Sequence, residues 1–146
     1  MQDKIQREIL INATKERIYA AITDPDLVVL WFPETLEGSY TVGERPIFGF
    51  GEHGKNQIYV ENAIPYQYFA YRWIPGSNHF MGDVLTVPNT LVEFHIEELA
   101  DKSCKLILSE SGFAALPSDI AEKCFTQNSG GWDFMLARFE KYIAGI

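Results

Sequence analysis

A glycine-rich segment is the first part of the chain whose residue types and spacing suggest chemistry. Gly49-Phe50-Gly51-Glu52-His53-Gly54 spells G-x-G-x-x-G, the spacing of a dinucleotide-binding loop. Such a loop needs a helix directly after the glycines, within a βαβ unit, whereas here the pattern of a strand follows. The H-R-D and D-F-G motifs of a protein kinase are also absent. We therefore interpret the segment as a flexible turn that can border the mouth of a cavity.

Histidines and acidic residues form one loose candidate for a metal site. His95 lies between Glu93 and Glu97, and alternate positions of a strand point to the same side. A solvated polar face explains this pattern better, so we expect no metal and no cofactor. His79 and Asp83 lie in a long loop, 74–89, where a gating or acid–base role is conceivable.

No catalytic residue is predicted. The chain has no G-x-S-x-G motif and no cysteine with an obvious histidine partner. Arg72 lies opposite a row of aromatic residues, so we expect it at the surface. If it faces a cavity instead, it is the natural partner of a ligand carboxylate.

Aromatic residues are abundant, at 14% of the chain, and they favour either an aromatic-lined pocket or an aromatic core. Ten residues lie on strand or helix faces that are expected to oppose each other, and ligand sites are mostly apolar. We expect about half of them to be plain core. The ten candidate cavity residues are Trp31, Phe48, Phe50, Tyr71, Trp73, Phe94, Phe113, Trp132, Met135 and Phe139.

A long C-terminal helix, 118–146, is the element that must cover these residues. Its apolar positions return to one face of a 3.6-residue helix; they are Ile120, Cys124, Trp132, Met135, Phe139 and Ile143. Gly130 and Gly131 interrupt the pattern, and each glycine costs about 1 kcal/mol relative to alanine in a helix. We expect a break or kink there, or a backbone too close to the sheet for a Cβ.

The rest of the chain reads as a strand, two short helices and about six further strands. The first strand spans 4–11, a helix follows Thr14, and Asp24-Pro25 starts a second helix that carries Leu30 and Trp31. Five later strands are predicted at 36–42, 46–50, 56–64, 68–73 and 90–98. In the sixth, Cys104, Leu106 and Leu108 face inward, and the chain leaves the sheet at Ser111-Gly112-Phe113. The order β-α-α-β6-α predicts an α+β fold in one domain, 1–146.

Bulk properties exclude several classes of protein. A net charge of −8 argues against a nucleic-acid partner, because phosphate binding needs a basic face. No apolar run approaches 18 residues, so we expect no membrane span and a cytoplasmic location. Cys104 and Cys124 are interpreted as buried thiols and not as a disulfide.

An ordered set of short motifs resembles a known family. The motifs are Asp24-Pro25 with Trp31-Phe32-Pro33, Tyr71-Arg72-Trp73, Thr90 to Phe94, Leu108 to Phe113, and Asn128 with Gly131-Trp132 and Leu136. Together they resemble the AHSA-like family (activator of heat-shock-protein ATPase homologue-like) of the START-like, helix-grip SRPBCC superfamily. The resemblance implies a curved antiparallel sheet wrapped around the C-terminal helix, with a cavity between them. Members of the superfamily bind lipids, sterols, polyketides and other apolar molecules, and some are enzymes.

Three functions remain open from the sequence. The leading hypothesis is a protein that binds a small hydrophobic or aromatic molecule between the sheet and the last helix. The second is a protein-interaction module, either a chaperone or stress-response partner or a homodimer. The third is an enzyme that acts on a small hydrophobic substrate.

Overall fold

The computed structural model describes residues 2–76, 80 and 82–145, which form three helices and eight strands. The helices are α1 (Lys15–Thr23), α2 (Pro25–Val28) and α3 (Ser118–Ala144). The strands are β1 (Lys4–Ile11), β2 (Thr35–Glu37), β3 (Ile47–Gly49), β4 (Lys55–Gln57), β5 (Tyr59–Ile64), β6 (Tyr68–Trp73), β7 (Thr90–Glu98) and β8 (Cys104–Ser111). Among the described residues, no helix is both long and apolar enough to cross a membrane.

The strands form two antiparallel sheets. The larger, curved sheet has the order β1-β8-β7-β6-β5, and the smaller has the order β2-β3-β4. Strand β7 alternates as predicted: Val92, Phe94 and Ile96 are buried, and the residues between them are more exposed. The long helix α3 covers the apolar face of the larger sheet, so the predicted α+β helix-grip fold is confirmed.

Helix α3 buries one face along its whole length, but that face differs in part from the predicted one. The buried residues are Ala121, Cys124, Trp132, Leu136, Phe139 and Ile143. Ile120 was expected in this set, but it is 37% exposed, because Ala121 carries the buried face in the first turn. Met135 is only half-buried, and its neighbour Leu136 takes the inner position.

The two glycines of α3 neither break the helix nor bring it closer to the sheet. The helix runs without interruption through Gly130 and Gly131, and a Cβ added at either would meet no atom within 4 Å. Both expectations were therefore wrong. The physical reason is that both glycines are exposed, and no neighbouring atom lies close enough to exclude a side chain.

Strand β1 is tied to the middle of α3 by a polar contact. Arg7, which interrupts the apolar row of β1, donates hydrogen bonds to Asp133 Oδ1 at 2.7 Å and to Ser129 Oγ at 2.7 Å. At the other end, Arg17 of α1 donates to the carbonyl of Ile143, where a cation is favoured by the helix dipole.

The start signals of the two short helices are confirmed, but the end of the second is not. Thr14 accepts a hydrogen bond from the N–H of Arg17, and Asp24 caps α2 with Pro25 in its first turn. Helix α2 ends at Val28, so Leu30 and Trp31 follow it instead of belonging to it. The Trp31 indole donates to the carbonyl of Ala21 at 2.8 Å, which fixes its ring in the core.

The region 35–64 contains more and shorter strands than predicted. The strand expected over 56–64 is divided at Ile58, so seven strands follow α2 instead of six. A register shift between Val60 and Asn62 reverses the alternation of β5. As a result Ile64, which was predicted to face inward, is 44% exposed.

The burial of Trp132 leads to a stability prediction. Replacing Trp132 with Ala is expected to lower the free energy of unfolding by about 3–5 kcal/mol, because a large buried aromatic side chain is removed. Urea denaturation followed by circular dichroism measures the change. Phe134→Ala is the matched control, since Phe134 is 61% exposed on the same helix, and it should change stability by no more than about 0.5 kcal/mol. A loss below about 1 kcal/mol for Trp132→Ala would contradict its anchoring role.

Candidate functional site

A cavity of about 130 Å³ lies between α3 and the two sheets. Its lining is mainly aromatic, with two amide side chains, and consists of Phe32, Phe50, Asn56, Trp73, Asn128, Gly131, Trp132 and Met135. Gly131 is exposed to solvent and therefore lies at the open side. The cavity thus has apolar walls, a few polar groups and access from outside, which is the usual composition of a small-molecule site.

The aromatic walls pack against one another. The ring centroids of Phe32 and Trp132 lie 5.3 Å apart, and those of Trp73 and Trp132 lie 5.9 Å apart. Phe50 approaches Trp73 edge-on at 6.4 Å. Because each ring contacts at least one other, neighbouring side chains hold the walls of the cavity in position.

The carboxylate of Glu110, which does not itself line the cavity, orients three of the residues that do. Glu110 is fully buried, and it accepts hydrogen bonds from Trp73 Nε1 at 2.9 Å and from Trp132 Nε1 at 2.8 Å. The amide of Asn128 donates to both of its oxygens, at 2.9 and 3.1 Å. Thr90 Oγ1 donates at 2.5 Å. One side chain therefore orients both indoles and one amide of the cavity.

Both oxygens of Glu110 accept hydrogen bonds from neutral groups. An indole nitrogen can only donate, and each oxygen of Glu110 accepts from one indole N–H. In residues 2–76, 80 and 82–145, no lysine, arginine or histidine forms an ion pair with it. Neutral donors alone surround the carboxyl group, and hydrogen bonds of this kind stabilise a carboxylate charge.

The negative charge of Glu110 acts on two other buried groups. Burial, and after it the Glu110 charge, raises the pKa of the Cys124 thiol, which disfavours a reactive thiolate there. Burial, then Tyr40 and Glu110, raises the pKa of Tyr71 well above its ordinary value. In the described part of the chain, the Tyr71 hydroxyl is the one buried side-chain polar atom without a hydrogen-bond partner.

The structure places four of the ten candidate cavity residues on the cavity and six in the core. Phe50, Trp73, Trp132 and Met135 line the cavity. The others are almost fully buried and lie away from its lining: Trp31, Phe48, Tyr71, Phe94, Phe113 and Phe139. Binding of a ligand by the first four stays a prediction.

The polar centre of the site, Glu110, was missed in the sequence, although a signal was present. The inward residues Cys104, Leu106 and Leu108 alternate along β8, and one further step of two reaches Glu110. The inward residues named for this strand stopped at Leu108, although the chain was expected to leave the sheet only at Ser111. Asn128 carried no comparable signal, because its role depends on a partner 18 residues away in the sequence.

The other candidate groups lie outside the cavity. His95 Nε2 is 3.9 Å from Glu93, and among the described residues no three histidine, cysteine or acidic side chains are arranged to hold a metal ion. Asp83 pairs with Arg45 at 2.9 Å, and this hydrogen bond lowers the pKa of Asp83. His79 lies outside the described residues.

The glycine-rich segment and Arg72 also behave as expected. A short 3-10 turn at Gly51–His53 leads directly into strand β4, so the segment is a turn and not the start of a helix. Arg72 forms an ion pair with Glu61 at 2.6 Å and does not line the cavity.

The curved antiparallel sheet around a long C-terminal helix defines the class of helix-grip proteins. Within that class, the family model described as "Activator of Hsp90 ATPase homolog 1-like protein" matches residues 12–144, and the chain belongs to this family. A search of curated proteins finds no significant match.

Several solved structures share the same fold. The chain superimposes on DynU16, a protein in the dynemicin biosynthetic locus, with a TM-score of 0.78 at 23% identity over 99% of the chain. It spans about half, 48%, of the DynU16 chain. MLL2253 from Mesorhizobium loti gives a TM-score of 0.77 at 18% identity, covering 97% of this chain and 96% of that one. The Aha1 dimer from Colwellia psychrerythraea gives a TM-score of 0.72 at 21% identity, covering 97% of this chain and 96% of that one.

The role of Glu110 can be tested by removing its charge. Glu110→Gln keeps the size of the side chain but turns one acceptor into a donor that faces an indole N–H. We expect it to lower the free energy of unfolding by at least about 1–3 kcal/mol, the cost of leaving a buried donor without a partner. Glu97→Gln, on the exposed face of β7, is the control and should have almost no effect in the same urea titration. Equal stability of the two variants would contradict the proposed arrangement.

Proposed function

We propose that the protein binds a small hydrophobic or aromatic molecule in the cavity between the sheets and α3. The observation that carries the proposal is an aromatic-lined cavity whose walls are held in place by the buried carboxylate of Glu110. Side chains fixed before the ligand arrives lose little conformational freedom on binding, which favours affinity.

The volume of the cavity limits the size of the ligand. An engineered apolar cavity of about 150 Å³ takes up benzene. A volume of about 130 Å³ therefore suits one aromatic ring or a branched alkyl group of similar size. A whole fatty acid or polyketide would extend beyond the open side at Gly131.

The proposal includes no catalytic step. Both oxygens of Glu110 already accept hydrogen bonds from the protein, so neither is directed at a ligand. The raised pKa of Cys124 gives no support to a nucleophile. Two buried free cysteines fit a reducing compartment, which supports the inference of a cytoplasmic protein.

A protein-interaction role is the second candidate. The family takes its name from an activator of a chaperone ATPase, and one solved relative is described as a dimer. Leu10 and Phe134 are large apolar side chains that are 69% and 61% exposed on this chain, and both are available to a partner. A chaperone or stress-response partnership rests on the family description alone.

If the protein-interaction role is that of a homodimer, the mass of the particle in solution is predicted. Light scattering after size exclusion should then give twice 16.6 kDa, and Phe134→Glu should return the protein to a monomer if Phe134 lies in the contact. A single species of 16.6 kDa over the whole concentration range would rule the homodimer out.

The binding proposal is tested by the two neighbouring glycines of α3. Gly131→Ala places a methyl group at the open side of the cavity, and it should weaken the binding of one-ring aromatic molecules about tenfold or more, equivalent to about 1.4 kcal/mol. Gly130→Ala adds the same methyl to the same helix away from the cavity, and it should leave binding unchanged.

Tryptophan fluorescence is a suitable readout, because Trp73 and Trp132 both line the cavity. Each alanine should also stabilise the helix by about 1 kcal/mol, so a loss of binding in Gly131→Ala cannot be attributed to unfolding. Absence of any fluorescence response across a panel of small aromatic and branched apolar molecules would overturn the proposal.

A further inference from the structure

The walls of the cavity present the features of an aromatic cage. Four of its lining side chains are aromatic: Phe32, Phe50, Trp73 and Trp132. The face of an aromatic ring carries negative potential and attracts a cation within about 6 Å of its centroid, and tryptophan is the strongest of the aromatic residues in this respect. Recognition of quaternary ammonium groups by such cages is a known use of this interaction.

A buried negative charge lies directly behind two of these rings. The indole N–H groups of Trp73 and Trp132 point at Glu110, at 2.9 and 2.8 Å. Hydrogen bonds polarise the groups that take part in them, so donation to a carboxylate makes the two indole rings more electron-rich. The carboxylate is itself fully buried, and its charge adds a favourable potential for a cation in the cavity.

No positive charge on the described chain offsets this potential locally. The cavity lining contains no lysine, arginine or histidine, and the ion pairs of the described residues leave Glu110 out. The protein as a whole carries a net charge of −8. The charge of Glu110 would repel an anion in the cavity, and no positively charged side chain lines the cavity to offset this repulsion. A cation would instead be attracted by the Glu110 charge.

The amide of Asn128 adds to the same preference. The Asn128 nitrogen faces Glu110 and donates to its two oxygens, at 2.9 and 3.1 Å. The amide oxygen therefore points away from Glu110, and in residues 2–76, 80 and 82–145 it accepts no side-chain hydrogen bond. A carbonyl oxygen at the wall of the cavity is a further favourable group for a cation.

We infer that this cavity selects a small organic cation, namely an ammonium group with apolar substituents, over neutral and anionic molecules of the same shape. The inference rests on the proposed function, that the cavity takes up a small apolar molecule. A quaternary ammonium group fits best, because its charge is spread over methyl groups and it loses less hydration on entering an apolar cavity than a primary ammonium does.

Three compounds of nearly equal shape test the inference. Choline carries a trimethylammonium group, 3,3-dimethylbutan-1-ol replaces it with a neutral tert-butyl group, and 3,3-dimethylbutanoate carries a negative charge. Titration of the unmodified protein, followed by tryptophan fluorescence and calorimetry at constant ionic strength, should show choline binding about tenfold or more tightly than the alcohol. The anion should bind at least as weakly as the alcohol.

The outcomes distinguish this inference from the proposed function. Equal or tighter binding of the neutral alcohol overturns the selection of a cation and leaves the binding function intact. Binding of neither choline nor the alcohol also overturns the inference, and the panel of small aromatic molecules then decides whether the proposed function survives.

A variant tests the origin of the preference. Phe50→Leu removes one aromatic face but keeps an apolar, half-buried side chain, so the fold should persist. The ratio of choline to alcohol affinity should fall severalfold, because the loss of an aromatic face weakens the binding of the cation more than that of the alcohol. Phe134→Leu, on the outer face of α3, is the matched control and should leave the ratio unchanged. An unaltered ratio in Phe50→Leu would contradict the cage.

Discussion

The buried carboxylate of Glu110 is the constraint on which the arrangement of the helix and sheet depends. Removing a carboxylate from water costs several kcal/mol, and the cost is offset only where donors converge on it. Those donors come from β6, β7 and α3, through Trp73, Thr90, Asn128 and Trp132. None of these elements can move away without leaving a charge unpaired in the interior.

The long helix is held most firmly where its own sequence supports it least. Gly130 and Gly131 lower the helix propensity of its middle. Side chains of two strands hold residues 128–133 in place. Arg7 of β1 donates to Ser129 and Asp133. Glu110 of β8 accepts from Asn128 and Trp132. Most helical stability in proteins comes from tertiary contacts, and this segment shows why a glycine pair is tolerated.

Patterns in the sequence predicted the elements better than the site. The alternation of β7 and the capping residues Thr14 and Asp24 are local signals, and each specified its element correctly. Ile64 faces solvent because the pairing of β5 with β6 shifts register between Val60 and Asn62. The sequence of β5 alone gives no sign of this shift. The role of Glu110 depends on side chains 18 to 37 residues away, so it becomes visible only in the folded chain.

Aromatic residues also show why cavity and core are hard to separate in advance. Periodicity indicates which side chains face inward, but not whether neighbours fill the space beside them. Tyr71 and Trp73 share one face of β6, yet only Trp73 borders the cavity. Replacing a buried charge by well-packed apolar residues is often neutral or stabilising. A buried carboxylate therefore departs from what stability alone requires, and departures of this kind are expected at functional sites. Glu110 contacts the cavity walls and does not lie elsewhere in the core. This position is consistent with ligand binding as the reason for its presence.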